Sequence, residues 1–261
     1  MKIEVILIPA ELPALAKRDL RDAACVVFDV LRATSTFVTA LHHGAKAIVP
    51  VCEIAEALAI HQRQPDVLLA GERHGVRIRA AQTGGVDFDL GNSPREFTPE
   101  KVRGKTVVST TSNGTRALRA CAGAKTVLAA SFLNLTATAE FIKKHQPAHV
   151  LLVCAGTREN AALEDVLAAG AFCEILNAPL APSLSPLGRG GGVLQISDSA
   201  EIARRIYAQA KSDLAAVVHT SENARRLLAI PELLDDVAFC LQRDVSPLIA
   251  KMEADGSVRS Q

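Results

Sequence analysis

The sequence predicts a layered α/β/α sandwich built on a largely parallel or mixed sheet. Short β-branched runs alternate with helix-length stretches whose apolar residues recur every three or four positions. This order is typical of strands joined by crossover helices. Hydrophobic residues make up 49% of the chain and aromatic residues only 3%, so we expect a core of Val, Ile, Leu and Ala.

Near-continuous apolar runs predict strands buried on both faces, without fixing strand direction. These runs span residues 4–8, 25–30, 47–51, 67–70, 106–109, 126–130 and 150–154. Amphipathic stretches, often bounded by Gly or Pro, predict the helices. They span residues 34–43, 54–63, 114–121, 137–145, 163–176, 200–211, 222–228 and 233–244.

At 261 residues the chain is long enough for one large core or two smaller ones. We expect one α/β unit, and two subdomains dividing near residues 125–150 are the alternative organisation. Residues 178–192 are rich in Pro, Ser and Gly, a composition that predicts a flexible insertion. The insertion is either a domain linker or a surface loop within one domain.

The charge balance predicts a small-molecule partner. Lys and Arg number 29 against 28 Asp and Glu, which leaves no broad electrostatic footprint for nucleic acid or an acidic membrane. Apolar runs are far shorter than the roughly 20 residues that a membrane helix needs, and no signal-peptide pattern is present. We therefore expect a cytoplasmic protein that binds neither nucleic acid nor membrane. A homodimer is expected only because homodimers are the commonest oligomers.

The cysteines predict no structural zinc site, because none of them forms a C-x-x-C pair. They are expected to be small, reduced core residues. They stand at Cys25, Cys52, Cys121, Cys154, Cys173 and Cys240.

The first candidate site is the segment DVLRATST, which runs from the end of a strand into a helix. Ligands of α/β sheets bind beyond the carboxyl ends of strands, and Arg32 can bind an anion through a forked pair of hydrogen bonds. Thr34, Ser35 and Thr36 add hydroxyls at a helix start, which attracts anions. The alternative is that these hydroxyls cap the helix while Asp29 pairs with Arg32.

Two further loops bring acids and donors together. Glu72 and Arg73 follow the predicted strand 67–70, and they share an edge of the sheet with Asp29 if the two strands are parallel. Next, carboxylates precede a Gly-Asn-Ser-Pro turn, which is either a plain turn or a backbone loop around an anion. Its candidate residues are Asp89, Asn92 and Ser93.

The segment TTSNGT follows the predicted strand 106–109 and precedes a helix, an order that favours a phosphate-binding loop. It lacks the order of a Walker loop, and an Asn-Gly turn with a Thr cap is the alternative. Its candidate residues are Thr110, Thr111, Asn113, Gly114 and Thr115.

The last candidate loop begins at Cys154, at the end of a predicted strand. No C-x5-R phosphatase loop follows it, so we interpret Cys154 as a packed or site-lining thiol. Glu164 and Asp165, at the start of the next helix, either hold Mg²⁺ through oxygen or complement the helix dipole.

Taken in order, these motifs resemble the 2-phosphosulfolactate phosphatase family, known from coenzyme M biosynthesis. The matching segments are DVLRATST, GER, FDLGNSP, TTSNGT, CAG and ED. The resemblance covers the first two-thirds of the chain, while residues 74–87 and 178–192 depart from the family pattern. It implies a magnesium-dependent phosphatase that releases phosphate and 3-sulfolactate from a small, acidic substrate.

In that interpretation the catalytic residues are Asp29, Arg32, Glu72 and Arg73. The candidate ligands of Mg²⁺ are Asp29, Glu72, Asp89, Glu164 and Asp165. A metal-bound water attacks phosphorus in line while the arginines and the Thr-Ser-Asn-Gly-Thr loop stabilise charge. The competing mechanism makes Asp29 a covalent nucleophile, although the second Asp of a D-x-D motif is absent.

Other function classes make different predictions. A non-catalytic anion-binding or regulatory module would bind phosphorylated acids without turnover, and a phosphatase for another three-carbon acid would use the same motifs. A dinucleotide-dependent oxidoreductase is excluded, because no G-x-G-x-x-G follows the first strand. Asp236, Cys240 and Asp244 share one face of the predicted helix 233–244, and they either reach the site or cap the fold.

Overall fold

The predicted apolar runs form a mixed sheet in the computed structural model, which describes residues 1–178 and 194–261. Helices pack against this sheet, so the predicted layered α/β fold is confirmed. The strands are β1 (Lys2–Ile6), β2 (Ala23–Phe28), β3 (Ala47–Val51), β4 (Leu68–Arg73), β5 (Val76–Arg77), β6 (Thr106–Thr110), β7 (Thr126–Ala130), β8 (His149–Cys154), β9 (Gln195–Ile196), β10 (Ala250–Met252) and β11 (Val258–Ser260).

The helices of the described residues follow the predicted periodicity closely in the longer elements. They are α1 (Leu12–Leu15), α2 (Ala33–His42), α3 (Ile54–Arg63), α4 (Ala80–Thr83), α5 (Pro99–Val102), α6 (Gly114–Ala120), α7 (Leu135–His145), α8 (Leu163–Asn177), α9 (Asp198–Ala210), α10 (Leu214–His219), α11 (Glu222–Leu228) and α12 (Leu234–Cys240).

The helix predicted over residues 233–244 is too long at its C-terminal end. Helix α12 ends at Cys240, and Asp244 has a positive φ of 55°. The Asp244 carboxylate instead accepts hydrogen bonds from the backbone N–H and the hydroxyl of Thr136, each at 2.7 Å. A contact distant in sequence therefore outweighs the local periodicity there.

The sheet contains two groups of parallel strands. Strands β9, β1, β8, β2 and β7 form one group, and β3, β6 and β4 form the other. The hairpin of β10 and β11 lies between the groups and pairs antiparallel with β7 on one side and β3 on the other. The two groups therefore run in opposite directions, and β4 is not parallel to β2 as a shared edge would require.

Strand β2 shows how the core is divided between the two faces of the sheet. Val26 and Phe28 pack with residues of α7, α8 and α9, whereas Cys25 and Val27 pack with residues of α2 and α6. Successive side chains of a strand point to opposite faces, so a fully buried run serves both cores. This double burial fixes β2 in the interior of its group, between β7 and β8, and holds its carboxyl end, where Asp29 begins, in a rigid frame.

The predicted insertion at 178–192 lies outside the described residues, apart from Ala178 at the end of α8. Within the described ranges, no helix has both the length and the apolar character needed to cross a bilayer.

Candidate active site

Loops from both strand groups meet at a polar cavity of about 160 Å³. Ser112, after β6, donates from its N–H and its hydroxyl to Glu72 Oε1 at 2.9 and 2.8 Å. Asn113 Nδ2 donates to the carbonyl of Ala155, beyond β8, at 2.9 Å. The carboxyl ends of the oppositely directed groups therefore face each other across the cavity. Residues that line it include Asp29, Arg32, Glu72, Asn92, Thr111 and Asn113.

Asp29 lies in the wall of this cavity with 8% of its surface exposed. The N–H of Ala33, at the start of α2, donates to Oδ1 at 3.0 Å. Burial, together with the charges of Glu72 and Glu164, raises the pKa of Asp29 to about 6, against the opposing effect of the Ala33 hydrogen bond. Asp29 is thus a carboxylate that a cation in the cavity would stabilise.

Gly114 allows Asp29 to approach the start of α6. A Cβ added at this glycine would lie 2.6 Å from Asp29 Oδ2 and 2.7 Å from the Ala33 side chain. The group that approaches the backbone at Gly114 is therefore the Asp29 carboxylate.

The hydroxyls of the first motif bind the backbone. Thr34 donates to the carbonyl of Asp29 at 2.9 Å, and Ser35 donates to that of Val30 at 2.8 Å. Thr36 donates to the carbonyl of Asn92 at 2.8 Å, which connects α2 to the Gly-Asn-Ser-Pro turn. All three side chains are buried, so they fix the shape of the loop.

Arg32 lines the cavity but does not pair with Asp29. Its Nη1 donates to Asp236 Oδ2 at 2.7 Å, and its Nη2 donates to the carbonyl of Gly75 at 2.6 Å. Asp236 is fully buried and also accepts from the Ser93 hydroxyl at 2.7 Å. Of the two outcomes left open for the C-terminal helix, Asp236 therefore reaches the site, through the side chain of Arg32.

Glu72 is an ionised carboxylate in the cavity wall. Burial by itself raises its pKa, but hydrogen bonds from Gly75 and Ser112 outweigh burial and lower the pKa below the ordinary value. Gly75 belongs to the 74–87 stretch that departs from the family pattern, and its N–H donates to Glu72 Oε2 at 2.7 Å. That stretch therefore helps to form the cavity.

Arg73 lies outside the cavity lining. It donates to the carbonyls of Glu72 and Cys52 at 2.7 and 3.2 Å and to the Thr110 hydroxyl at 3.0 Å. These contacts connect the ends of β4 and β6, so the side chain fixes the strand that carries Glu72.

The TTSNGT loop contributes polar groups of two kinds. Asn113 donates to the carbonyls of Ala155 and Arg158 at 2.9 and 3.0 Å and so joins two loops. Thr115 donates to the carbonyl of Thr111 at 3.1 Å. The hydroxyl of Thr111 is buried and has no hydrogen-bond partner among the described residues, and this residue lines the cavity. It is available to a ligand.

Asp165 and Cys154 lie behind the cavity. Asp165 Oδ1 accepts from the N–H of Val30 at 2.8 Å, and Oδ2 accepts from the N–H of Gly156 at 3.0 Å. Burial raises the pKa of Asp165 well above its usual value, and the charges of Asp29 and Glu164 add to this rise. Burial likewise raises the pKa of the Cys154 thiol, so this thiol stays protonated and is not an activated nucleophile.

Asp89 is placed away from the cavity. It is exposed, and its Oδ2 accepts from the N–H of Leu69 at 2.8 Å. Asp89 therefore supports the edge of β4, and we omit it from the site.

The sequence did not identify Asn223 and Arg226 of α11, or His74 and Arg158, all of which line the cavity. Asn223 Nδ2 donates to the Thr157 hydroxyl at 2.6 Å and to Glu164 Oε1 at 2.7 Å. The two α11 residues are three positions apart, as neighbours on one helix face are. Such spacing does not show which surface the helix faces, so the sequence offers no stronger signal.

The carboxylates fit a magnesium ion of low protein coordination. Residues 1–178 and 194–261 contain no group of three or more His, Cys, Asp or Glu that could hold a metal. Mg²⁺ is usually bound by only one or two carboxylates, together with water and substrate phosphate. Asp29 and Glu72 line one cavity, and they match this smaller set of hard oxygen ligands.

Comparison with known proteins gives consistent matches along the chain. The family model described as 2-phosphosulpholactate phosphatase matches residues 8–255. A probable 2-phosphosulfolactate phosphatase of Caldanaerobacter subterraneus subsp. tengcongensis is 37% identical over 245 residues, covering 93% of this chain and 92% of the relative. One from Thermotoga petrophila is 39% identical over 220 residues, covering 84% and 85%. The family match includes all the residues that line the cavity.

Proposed function

Because the chain belongs to the 2-phosphosulpholactate phosphatase family of phosphoric monoester hydrolases, we propose that it hydrolyses the phosphate ester of a small acid in the presence of Mg²⁺. The substrate is 2-phosphosulfolactate or a close analogue, and the products are 3-sulfolactate and phosphate. The cavity between the strand groups carries this proposal, because Asp29 and Glu72 face it together with donors suited to anions. A cytoplasmic location, a homodimer and a role in coenzyme M biosynthesis stay predictions.

Asp29 and Glu72 are the residues that would hold the metal. When bound, Mg²⁺ supplies positive charge that offsets the phosphate and lowers the pKa of a bound water. The low pKa of Glu72 keeps this carboxylate ionised. A neighbouring cation would also favour the ionised form of Asp29, whose pKa is about 6 without it.

The chain's own residues position the phosphate. Arg32 holds the Gly75 loop, whose N–H in turn orients Glu72. Donors at the cavity, including the Thr111 hydroxyl and the guanidinium of Arg32, stabilise charge on the transferred phosphoryl group. We favour direct attack by water, because an Asp29 carboxylate that binds the metal is not free to attack phosphorus itself. Trapping a phospho-aspartate at this position would instead assign nucleophilic attack to Asp29.

The test is phosphate release from 2-phosphosulfolactate and 2-phospholactate, measured with Mg²⁺ and with EDTA. We expect turnover that requires Mg²⁺ and falls about 10³-fold in Asp29→Asn, since loss of a metal-ion contribution of several kcal/mol corresponds to factors of this size. Asp89→Asn is the matched control, because this exposed acid lies outside the cavity. Its activity should stay within about twofold of wild type, a change of less than about 0.5 kcal/mol.

Metal binding can be measured without turnover. Mg²⁺ should raise the melting temperature of the wild type and leave that of Asp29→Asn unchanged, because ligands that bind the native state stabilise it. Binding of phosphorylated acids without phosphate release, and without any effect of Mg²⁺, would identify a non-catalytic anion-binding module and contradict the proposal.

A further inference from the structure

Arg226 presents an uncompensated positive charge to the cavity. Its Nη2 donates to the neutral side-chain oxygen of Asn223 at 2.9 Å. Its Nε is buried and has no hydrogen-bond partner, and the guanidinium forms no ion pair, within the described ranges 1–178 and 194–261. The side chain lies beside the Gly75 loop, since a Cβ added at Gly75 would be 3.8 Å from this Nε.

The other arginines of the cavity differ from Arg226. Arg32 shares its charge with Asp236 in a buried ion pair at 2.7 Å. The Arg158 side chain is 78% exposed and lies 3.9 Å from Glu222, so solvent screens its charge. Arg226 is therefore the partly buried guanidinium at this cavity whose charge the described residues leave unpaired.

A buried hydrogen-bond chain orients Arg226. Asn223 is 5% exposed, and its Nδ2 donates to both Thr157 and Glu164. Because both amide hydrogens are used, the Asn223 oxygen faces Arg226. Glu164 is fully buried, and its Oε1 accepts from Asn223. Through Oε1, the Glu164 carboxylate therefore holds the Asn223 amide in place.

We propose that Arg226 determines substrate specificity by binding the acid group that accompanies the phosphate, a sulfonate or a carboxylate, while Asn223 and Glu164 position its guanidinium. The inference rests on the proposed function. A phosphorylated sulfonic or carboxylic acid brings several negative charges into a cavity that already contains Asp29 and Glu72. A planar guanidinium can donate a forked pair of hydrogen bonds to two oxygens of such a group, which an ammonium cannot reproduce.

Three substrates that lose one acid group at a time test this proposal. They are 2-phosphosulfolactate, 2-phospholactate and isopropyl phosphate, which carries the same secondary ester without an acid group. In Arg226→Met, kcat/KM should fall roughly 10- to 100-fold for the substrates whose acid group Arg226 binds. The loss of a hydrogen bond to a charged group typically lowers kcat/KM by a factor of about this size. It should change less than about threefold for isopropyl phosphate, whose phosphate contacts remain.

Further variants separate positioning from folding. Arg226→Lys should restore only part of the preference for substrates that carry the acid group, since Lys keeps the charge but cannot donate the forked pair of hydrogen bonds. Asn223→Ala should also lower the ratio of kcat/KM for the acid substrates to kcat/KM for isopropyl phosphate, but by a smaller factor than Arg226→Met. The control is Arg225→Met, an exposed residue on the same helix, which should leave the ratio unchanged.

Calorimetric binding provides a readout that needs no turnover. Arg226→Met should weaken the binding of 3-sulfolactate or lactate by tenfold or more and leave the binding of inorganic phosphate within about twofold. If the wild type hydrolyses 2-phosphosulfolactate and Arg226→Met weakens both classes of ligand equally, the specificity role is wrong while the proposed function stands. An inactive wild type would instead contradict the proposed function.

Discussion

Two buried aspartates at the same end of the sheet perform different tasks. Each oxygen of Asp165 accepts a backbone N–H, one from Val30 and one from Gly156. Asp29 accepts from Ala33 through Oδ1 and lines the cavity. Burial is the main cause of a raised pKa in both. The difference shows that burial and pKa alone do not identify a reactive carboxylate, and that the direction of its oxygens decides.

The largest effect on stability is expected for Asp165→Ala. The substitution leaves the N–H groups of Val30 and Gly156 without acceptors, and each buried unsatisfied donor costs about 1–3 kcal/mol. Relief of repulsion with Asp29 and Glu164 offsets a part of this loss. We expect the free energy of unfolding to fall by about 2–4 kcal/mol, measured by urea denaturation. Asp66→Ala, at an exposed position, is the control, and equal stability of the two variants would disprove the structural role.

For Asp29→Asn at neutral pH we expect the free energy of unfolding to rise, the opposite of the change in Asp165→Ala. A carboxyl group whose pKa rises from 3.8 to about 6 on folding destabilises the native state at pH values above both. The cost is at most about 3 kcal/mol, since one pKa unit corresponds to 1.36 kcal/mol. In EDTA at pH 7 the variant should therefore be more stable than wild type.

The stability difference between Asp29→Asn and the wild type should depend on pH. As pH falls from 7 through about 6 toward 3.8, the native wild type takes up a proton that the unfolded chain does not yet bind. The advantage of Asp29→Asn should shrink over this window and vanish near pH 4. Denaturation curves at several pH values measure it, and an advantage independent of pH would mean that ionisation of Asp29 is not its cause.

A smaller effect is expected for Gly114→Ala, which brings a methyl group to within 2.6 Å of Asp29 Oδ2. Overpacking of this kind typically costs about 1–3 kcal/mol. Phosphatase activity should fall together with the stability, because the displaced oxygen belongs to the cavity wall. Gly123→Ala is the matched control, since a Cβ there meets no described atom within 4 Å. Loss of stability in both variants alike would indicate a general effect of replacing glycine.

Much of the site was predictable because its residues follow strands. Asp29, Glu72 and Asn113 lie at or shortly after the ends of apolar runs, and the structure brings all three to one cavity. The condition stated for Glu72, a strand parallel to the one before Asp29, is not met, since β4 and β2 run in opposite directions. The short strands β10 and β11 cause this reversal, and three-residue strands leave little periodic signal in a sequence.

The sequence by itself determined the elements whose signal is local. Strands β3 and β7 and helices α3 and α11 have the predicted bounds, because apolar periodicity and terminal signals act over a few residues. The tertiary structure alone decided how charges are paired. Arg32 meets Asp236 across 204 positions, while Arg226 meets a neutral amide. Charge pairing depends on which side chains, distant in sequence, approach within about 3 Å of each other. The pattern of residues along the sequence does not show these approaches.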